Sequence, residues 1–349
     1  MALVKPLVLA LVAASIVGGA WHVVAADRLL TMYFIDVEGG QSTLIVTPAG
    51  ESLLIDTGFA ADGRDSARIL AAARDAGVTR IDHLLITHFH PDHDGGITEL
   101  SGKIPIGTFY DHGDLERSDA AVANEGWPRL MATYNAYIAV RAKAKHVEPH
   151  VGTHLPLKGL DVTWVSSAGA TLRNAMPGAG QPNPVCPSSA PAAGEPLENP
   201  RSTGFYLRYG KFRFVDLGDL SGQPLFALVC PDMLLGAVDL YLVPHHGGGD
   251  VTYPATFAAF RPRVAILNNG ATKGVGGDTL DALHHVKGLE DVWQLHRAAA
   301  PAAANFADRQ IANLDESTGH WLKATAATDG SFSVTNERTG ELRRYPARR

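Results

Sequence analysis

Cysteine is scarce in this chain, with two among 349 residues, Cys186 and Cys230. Neither sits in a C-x-x-C arrangement, which disfavours cysteine-based metal binding. Charge is sparse too, at 19% Asp, Glu, Lys and Arg, and the formal balance is −6. A protein that grips DNA or RNA needs a basic field to displace phosphate counterions, so this balance argues against nucleic acid as a partner. Arg343, Arg344, Arg348 and Arg349 make a local basic tail that reads as a solvated terminus. Long apolar runs are missing beyond the first 26 residues, which leaves no stable membrane span in the rest of the chain.

Those first 26 residues are of another kind. Lys5 is the only charge before Asp27, and 7–20 is an apolar stretch too short to cross a bilayer comfortably. Small residues at Val24-Ala25-Ala26 suit a signal peptidase, so 1–26 is expected to be a secretory leader cut near Ala25 or Ala26, and an uncleaved anchor is the competing reading. Export would place the protein in the periplasm or outside the cell, where thiols oxidise. Cys186 and Cys230 then either pair or stay free, and pairing would stabilise the fold by up to ~4 kcal/mol in the chain-entropy model.

The whole chain is 46% hydrophobic, and what remains, 27–349, reads as one soluble globular domain. Strand-like runs occupy 31–37, 43–47 and 52–55, followed by a helical repeat at 64–76 closed by Gly77 and a buried strand at 81–86. A strand at 104–110, a helix at 125–145 and a strand at 160–165 follow. The 125–145 helix carries Tyr134, Tyr137, Ile138 and Arg141 at helical spacing, a stripe that fits core better than a substrate cleft. The 168–200 stretch, rich in Pro, Gly and Ala, predicts a long loop. Beyond it come a hairpin at 205–209 and 212–216, strands at 240–243 and 264–267, helices at 253–261 and 279–286, and a terminal hairpin around Asp329-Gly330. Two strand-rich halves with interspersed helices imply an α/β fold of two sheets packed face to face with helices outside.

Directly after the 81–86 run stands Thr87-His88-Phe89-His90-Pro91-Asp92-His93-Asp94-Gly95-Gly96. Four candidate metal ligands fall in six positions. His88 and His90 alternate on extended backbone and can share one ion, while Asp92 and His93 can serve a second. Imidazole and carboxylate suit zinc, and manganese or iron also accept them. Two later strand ends offer further ligands: Asp216 and Asp219 after 212–216, and His245-His246 after 240–243, of which one can bind metal while its neighbour meets the substrate.

Through His88, His90, Asp92 and His93, then Asp219, then His245, the sequence resembles the metallo-β-lactamase-fold superfamily. The stretches Phe34-Ile35-Asp36-Val37, Leu54-Ile55-Asp56-Thr57-Gly58 and Val243-Pro244-His245-His246-Gly247 bring it nearer the hydrolase domain of ComEC-like competence proteins and exported choline-phosphate esterases. The resemblance covers roughly 30–295. It implies a four-layer αββα sandwich and a dinuclear zinc site in which His88 and His90 bind the first ion. Asp92, His93 and His245 would bind the second ion, and Asp219 would bridge. Asp92, His246 and Asp56 are the residues it assigns to catalysis, His246 facing the substrate and Asp56 steadying a ligand from behind. The family's third histidine on the first ion has no counterpart, since that region reads Glu198-Asn199-Pro200-Arg201-Ser202. Glu198, Asn199 or His112 would have to stand in, with His154 a poorer choice. Glu38, in Val37-Glu38-Gly39-Gly40-Gln41, departs from the Gly-Gln-Gly-Asp pattern of ComEC-like proteins and would put an acidic group at the cleft mouth.

The implied chemistry is hydrolysis by a metal-bound hydroxide, because zinc lowers the pKa of its water to about 7. Ser42 and Ser202 lack triad partners, so a covalent serine route is disfavoured. Phosphodiester or phosphate-ester substrates are the leading expectation. A β-lactam or lactone hydrolase and a non-catalytic metal-binding protein are the alternatives. The substrate is expected to be a small molecule or ester, and the sequence leaves the oligomeric state open.

Overall fold

The computed structural model describes residue 1 and residues 29–115, 117–124, 126–191, 197–251, 254–299 and 305–348. The expected leader, 1–26, lies outside them apart from its first residue. Among the described residues no helix is long and apolar enough to cross a membrane.

Two nine-stranded sheets make the frame. In the first, Leu30–Phe34 lies between Leu322–Ala326 and Thr43–Val46, all antiparallel, and the sheet then turns parallel through Ser52–Ile55, Ile81–Leu85, Ile106–Tyr110 and Lys145–Val147. In the second, the hairpin Gly204–Tyr209/Phe212–Asp216 leads into parallel strands Leu240–Leu242, Val264–Leu267, Asp291–His296 and Ile311–Asn313. Parallel strands covered on both faces are buried on both, and the central ones here are. Ile81–Leu85 has four of five residues buried, and Val264–Leu267 is buried throughout.

The inner faces meet in one core that includes Phe34, Leu85, Trp164, Phe205, Phe214 and Trp293. Helices cover the outer faces. On the first sheet Arg64–Asp75 buries Ile69, Ala72 and Ala73, an i, i+3, i+4 stripe, and Trp127–Arg141 buries Leu130 and Tyr137, seven apart. On the second lie Gly222–Val229, Pro254–Phe260 and Gly277–His284. The arrangement is the four-layer αββα sandwich.

The aromatic stripe of Trp127–Arg141 is core, for Phe89 packs on Tyr134 and Tyr137 with ring centres 4.8 and 5.7 Å apart. That helix ends at Arg141, shorter than expected, because Lys145–Val147 is drawn into the sheet beside Ile106–Tyr110. Cys186 and Cys230 form a disulfide, tying the 168–191 segment to the end of Gly222–Val229.

Three parallel strands release their chains at one rim of the sandwich. Ile81–Leu85 runs into 88–93, Phe212–Asp216 into 219 and Leu240–Leu242 into 245–246. The carboxyl ends of parallel strands are where rigid backbone hands side chains to a cleft.

Candidate metal centre

The rim is crowded backbone against backbone. A Cβ on Gly40 would stand 2.5 Å from the carbonyl oxygen of Asp92, so only glycine lets the 38–41 turn lie on the ligand loop. Gly218, at φ 56°, sits on Thr87 with the same consequence: an added Cβ would meet Thr87 Cβ at 2.7 Å. His245 and His246 are both left-handed, at φ 49° and 54°. Such backbone costs a non-glycine residue about 1–3 kcal/mol and persists where the surroundings over-determine it.

Asp92, His93, Asp219 and His246, all buried, bring one ligand atom each within 4.8 Å of one another. Asp219 Oδ2 lies 3.2 Å from His93 Nε2 and 3.2 Å from His246 Nε2, while Asp92 Oδ2 lies 3.4 and 3.1 Å from the same two nitrogens. Despite these approaches, both nitrogens and Asp219 Oδ1 lack a hydrogen-bond partner. Buried polar atoms are rarely left so, and four electron-pair donors converging without hydrogen-bond geometry fit a cation between them. His88, His90 and Asp219 form a second group that shares Asp219. In it His88 Nε2 stands 2.9 Å from His90 Nδ1 and 3.8 Å from Asp219 Oδ2.

Electrostatics in the metal-free chain point the same way. Burial alone would raise the Asp219 carboxyl, but His246 and His93 outweigh it and hold the group well below the usual range. Asp92 is likewise low, burial being overcome by His93 and Lys273. Burial pushes His88 well down, helped by His93 and His90, which favours the neutral imidazole, the form a metal would require. His93 is opposed by burial but lifted well up by Asp219, Asp92 and Asp56. A proton there answers a demand for positive charge.

The expected roles of the histidine pair are exchanged in placement. His246, not His245, joins Asp92, His93 and Asp219; His245 Nε2 is 4.0 Å from Asp219 Oδ2 and its side chain is one-third exposed. The left-handed turn rotates the second ring inward and leaves the first at the partly exposed edge of the group. There His245 Nδ1 pairs with Asp250 at 2.8 Å and Nε2 lies 3.2 Å from Asn199 Nδ2. Burial lowers the His245 pKa, but Asp250 and Asp219 raise it above the usual value.

Asp56 lies behind the ligands. Its Oδ2 accepts from His93 Nδ1 at 2.7 Å and from Thr87 Oγ1 at 2.8 Å, and its Oδ1 accepts the Thr87 N–H at 2.8 Å. These bonds fix the Nδ1–H tautomer and leave His93 Nε2 facing the group. Two of the three stand-ins for the missing histidine are engaged elsewhere, since Glu198 Oε2 takes the Phe89 N–H at 2.9 Å and His112 Nε2 at 3.0 Å. Asn199 Oδ1 is buried without a partner. His154 is remote, paired with Asp161 beside the strand Asp161–Ser167. Lys273 went unnoticed in the sequence; it donates to Asp92 Oδ2 at 2.5 Å and to the Gly39 carbonyl at 2.7 Å. Its only signal was a lysine in a Gly-rich turn after a strand.

A third group, Asp36, Glu38 and His296, also satisfies the ligand geometry. Arg68 occupies it, 2.5 Å from Asp36 and 2.9 Å from Glu38, so two carboxylates face two cations and balance. Burial pushes His296 down, but Asp36 and Glu38 prevail and raise it to about 9. This is an ion-pair network, and it holds the turn whose Gly39 carbonyl receives Lys273. It also draws Glu38 inward, to a largely buried position.

Residues 35–169 match the model of the metallo-beta-lactamase superfamily. Over 75 residues, 22% of this chain, the sequence is 41% identical to competence protein ComA of Neisseria gonorrhoeae, and the match spans only a tenth of that protein. Solved structures of similar shape include YhfI of Bacillus subtilis, a metallo-beta-lactamase fold protein, at 14% identity over 76% of this chain and 96% of that one, TM-score 0.45. Tm1679, a metal-dependent hydrolase of the β-lactamase superfamily, aligns at 14% identity over 78% and 97%, TM-score 0.44. CmlA of Streptomyces venezuelae, a diiron β-hydroxylase, aligns at 14% over 76% of this chain and 52% of its own, TM-score 0.42. Residues 35–169, which carry His88, His90, Asp92 and His93, are thus similar to the metallo-beta-lactamase superfamily, and the chain itself folds as an αββα sandwich.

Proposed function

We propose that the protein is an exported dinuclear metallohydrolase acting on phosphodiester or phosphate-ester bonds. The observation that carries this reading is the pair of ligand groups joined through Asp219. Asp92, His93, His246 and Asp219 would hold one ion. His88, His90 and Asp219 would hold the other, with Asn199 Oδ1 the buried, unpartnered oxygen available to complete it. Two zinc ions there, or manganese or iron, would supply Lewis acidity toward a phosphoryl oxygen and a water acidic enough to ionise near neutral pH.

The chain's own residues do the rest. Asp56 keeps His93 in one tautomer, and the Phe89 N–H held by Glu198 fixes the backbone between His88 and His90. Lys273 keeps a positive charge beside Asp92, where a negative phosphoryl group would approach. His245, partly exposed at the edge of the ligand group with Asp250 behind Nδ1, would hold a proton for a departing alcohol. Export is supported by the apolar, nearly uncharged 1–26 stretch and by the Cys186–Cys230 disulfide, a bond of oxidising compartments.

Mature protein loaded with zinc or manganese is expected to hydrolyse bis-p-nitrophenyl phosphate, and His90→Ala to abolish that turnover. Absence of metal-dependent turnover would reject the reading. Hydrolysis of nitrocefin or an acyl-homoserine lactone instead would favour the amide and ester alternative. Fewer than one metal per chain after zinc loading would favour a non-catalytic protein.

A further inference from the structure

A cleft of about 510 Å³ opens beside the metal centre, and His90 and Asn199 form part of its wall. A larger one, about 670 Å³, lies along Asp161 and Thr163 and contains no member of the ligand groups. Arg129 lines the smaller cleft with His90 and Asn199. Its guanidinium lies 5.7 Å from the centre of the Phe59 ring. Among the described residues it has no carboxylate partner.

Helix stability does not explain that arginine. Arg129 is the third residue of Trp127–Arg141, whose first turn contains no acidic residue, and a cation there opposes the helix dipole. Nor does overall charge explain it, because the chain is acidic. The other face of the explanation is Phe59, whose ring also carries Lys273 Nζ, 5.9 Å from its centre. One aromatic ring therefore seats two cations. Lys273 sits at the ligand group through Asp92, while Arg129 is displaced outward into the cleft. Besides His90, the remaining polar groups on the wall are Asn124, Asn199, Ser221, and Asp250, which pairs with His245.

We infer that this cleft is an anion subsite, in which Arg129 receives a second negatively charged group of the substrate, a carboxylate or phosphate, on the side away from the reacting phosphoryl group. The substrate class is thereby narrowed to phosphate esters with a distal anion. The inference rests on the dinuclear phosphoesterase reading for what anchors the first anion. A guanidinium fork suits an oxyanion because it can donate two parallel hydrogen bonds, and seating on an aromatic face keeps it oriented without consuming those donors.

The test uses zinc-loaded mature protein and calorimetric titration with ω-phosphonocarboxylates of three to six carbons, each paired with the alkylphosphonate of equal length. Wild type should bind at least one phosphonocarboxylate about tenfold tighter than its partner without the distal carboxylate, the order for one charge-assisted hydrogen bond at a partly exposed site. Arg129→Gln should bring that ratio to about one, and Arg129→Lys should keep part of it. Equal wild-type affinities across the series, no binding of either ligand, or a ratio unmoved by Arg129→Gln would overturn the subsite. Turnover of bis-p-nitrophenyl phosphate is read in parallel. Discrimination without turnover supports the subsite and rejects phosphodiester hydrolysis, and turnover without discrimination does the reverse.

Discussion

Two buried clusters of histidine and carboxylate are built into this rim, and they differ in one ingredient. Asp36, Glu38 and His296 enclose Arg68, whose guanidinium supplies the counter-charge and most of the hydrogen bonds. In Asp92, His93, Asp219 and His246 the protein cation is Lys273, a partly exposed side chain that pairs with Asp92 and leaves Asp219 to the histidines. Residue type and proximity are alike in both, and in both histidine nitrogens approach carboxylates without hydrogen-bonding them. What separates an ion-pair network from a candidate metal centre is whether the protein's cation pairs with every carboxylate or with one alone.

The largest test of that contrast is Asp219→Ala, which removes the carboxylate shared by both ligand groups. Bound zinc, measured by elemental analysis after dialysis, should fall below one ion per chain, and any hydrolytic rate should drop by roughly 10³-fold or more. Retention of two ions would erase the distinction between the clusters.

His246→Ala and His245→Ala sharpen it at single-residue resolution. The first should weaken zinc at the four-ligand group by on the order of 10²-fold, whereas the second should leave zinc content near that of wild type. The opposite ranking would return the ligand role to His245.

Asp56→Asn should weaken zinc binding by about 10- to 100-fold, the usual cost of losing a carboxylate behind a ligating histidine. An unchanged dissociation constant in competition with a chelator would show that Asp56 serves only the turn.

The smallest effect belongs to the ion-pair cluster. Because the folded His296 is raised from 6.5 to about 9, its stabilisation is complete below pH 6.5 and is lost as pH climbs through 9. Urea unfolding at pH 6 and pH 9.5 should differ by about 2 kcal/mol from this group. His296→Asn should flatten that difference while leaving zinc content intact, and a loss of zinc in this variant would contradict the separation of the two clusters.

The sequence disclosed the centre unevenly, for reasons that lie in the backbone. His88 through His93 could be read directly because one short segment after one strand carries them, and the strand itself was plain from its apolar run. His245 and His246 are neighbours of the same type, and only the left-handed turn through both decides which ring enters the group. Lys273, and the tie from Glu198 to Phe89 and His112, join segments far apart in the chain, so no local pattern marks them. Asp291–His296 went unread as a strand because Gln294 and His296 look exposed in sequence. The fold buries them by giving Gln294 bonds to Asn305 and His296 a pair of carboxylates.

Sharing of ligands between the sheets has a mechanical meaning. His88 to His93 hang from the first sheet, Asp219 and His246 from the second, and the aromatic core between the sheets is held by packing and by hydrogen bonds such as that from Trp293 Nε1 to the Tyr345 hydroxyl. An ion seated among them is a rivet through both layers. Its binding energy is available only once the two halves have docked, so metal uptake would report on completed assembly and would slow its reversal.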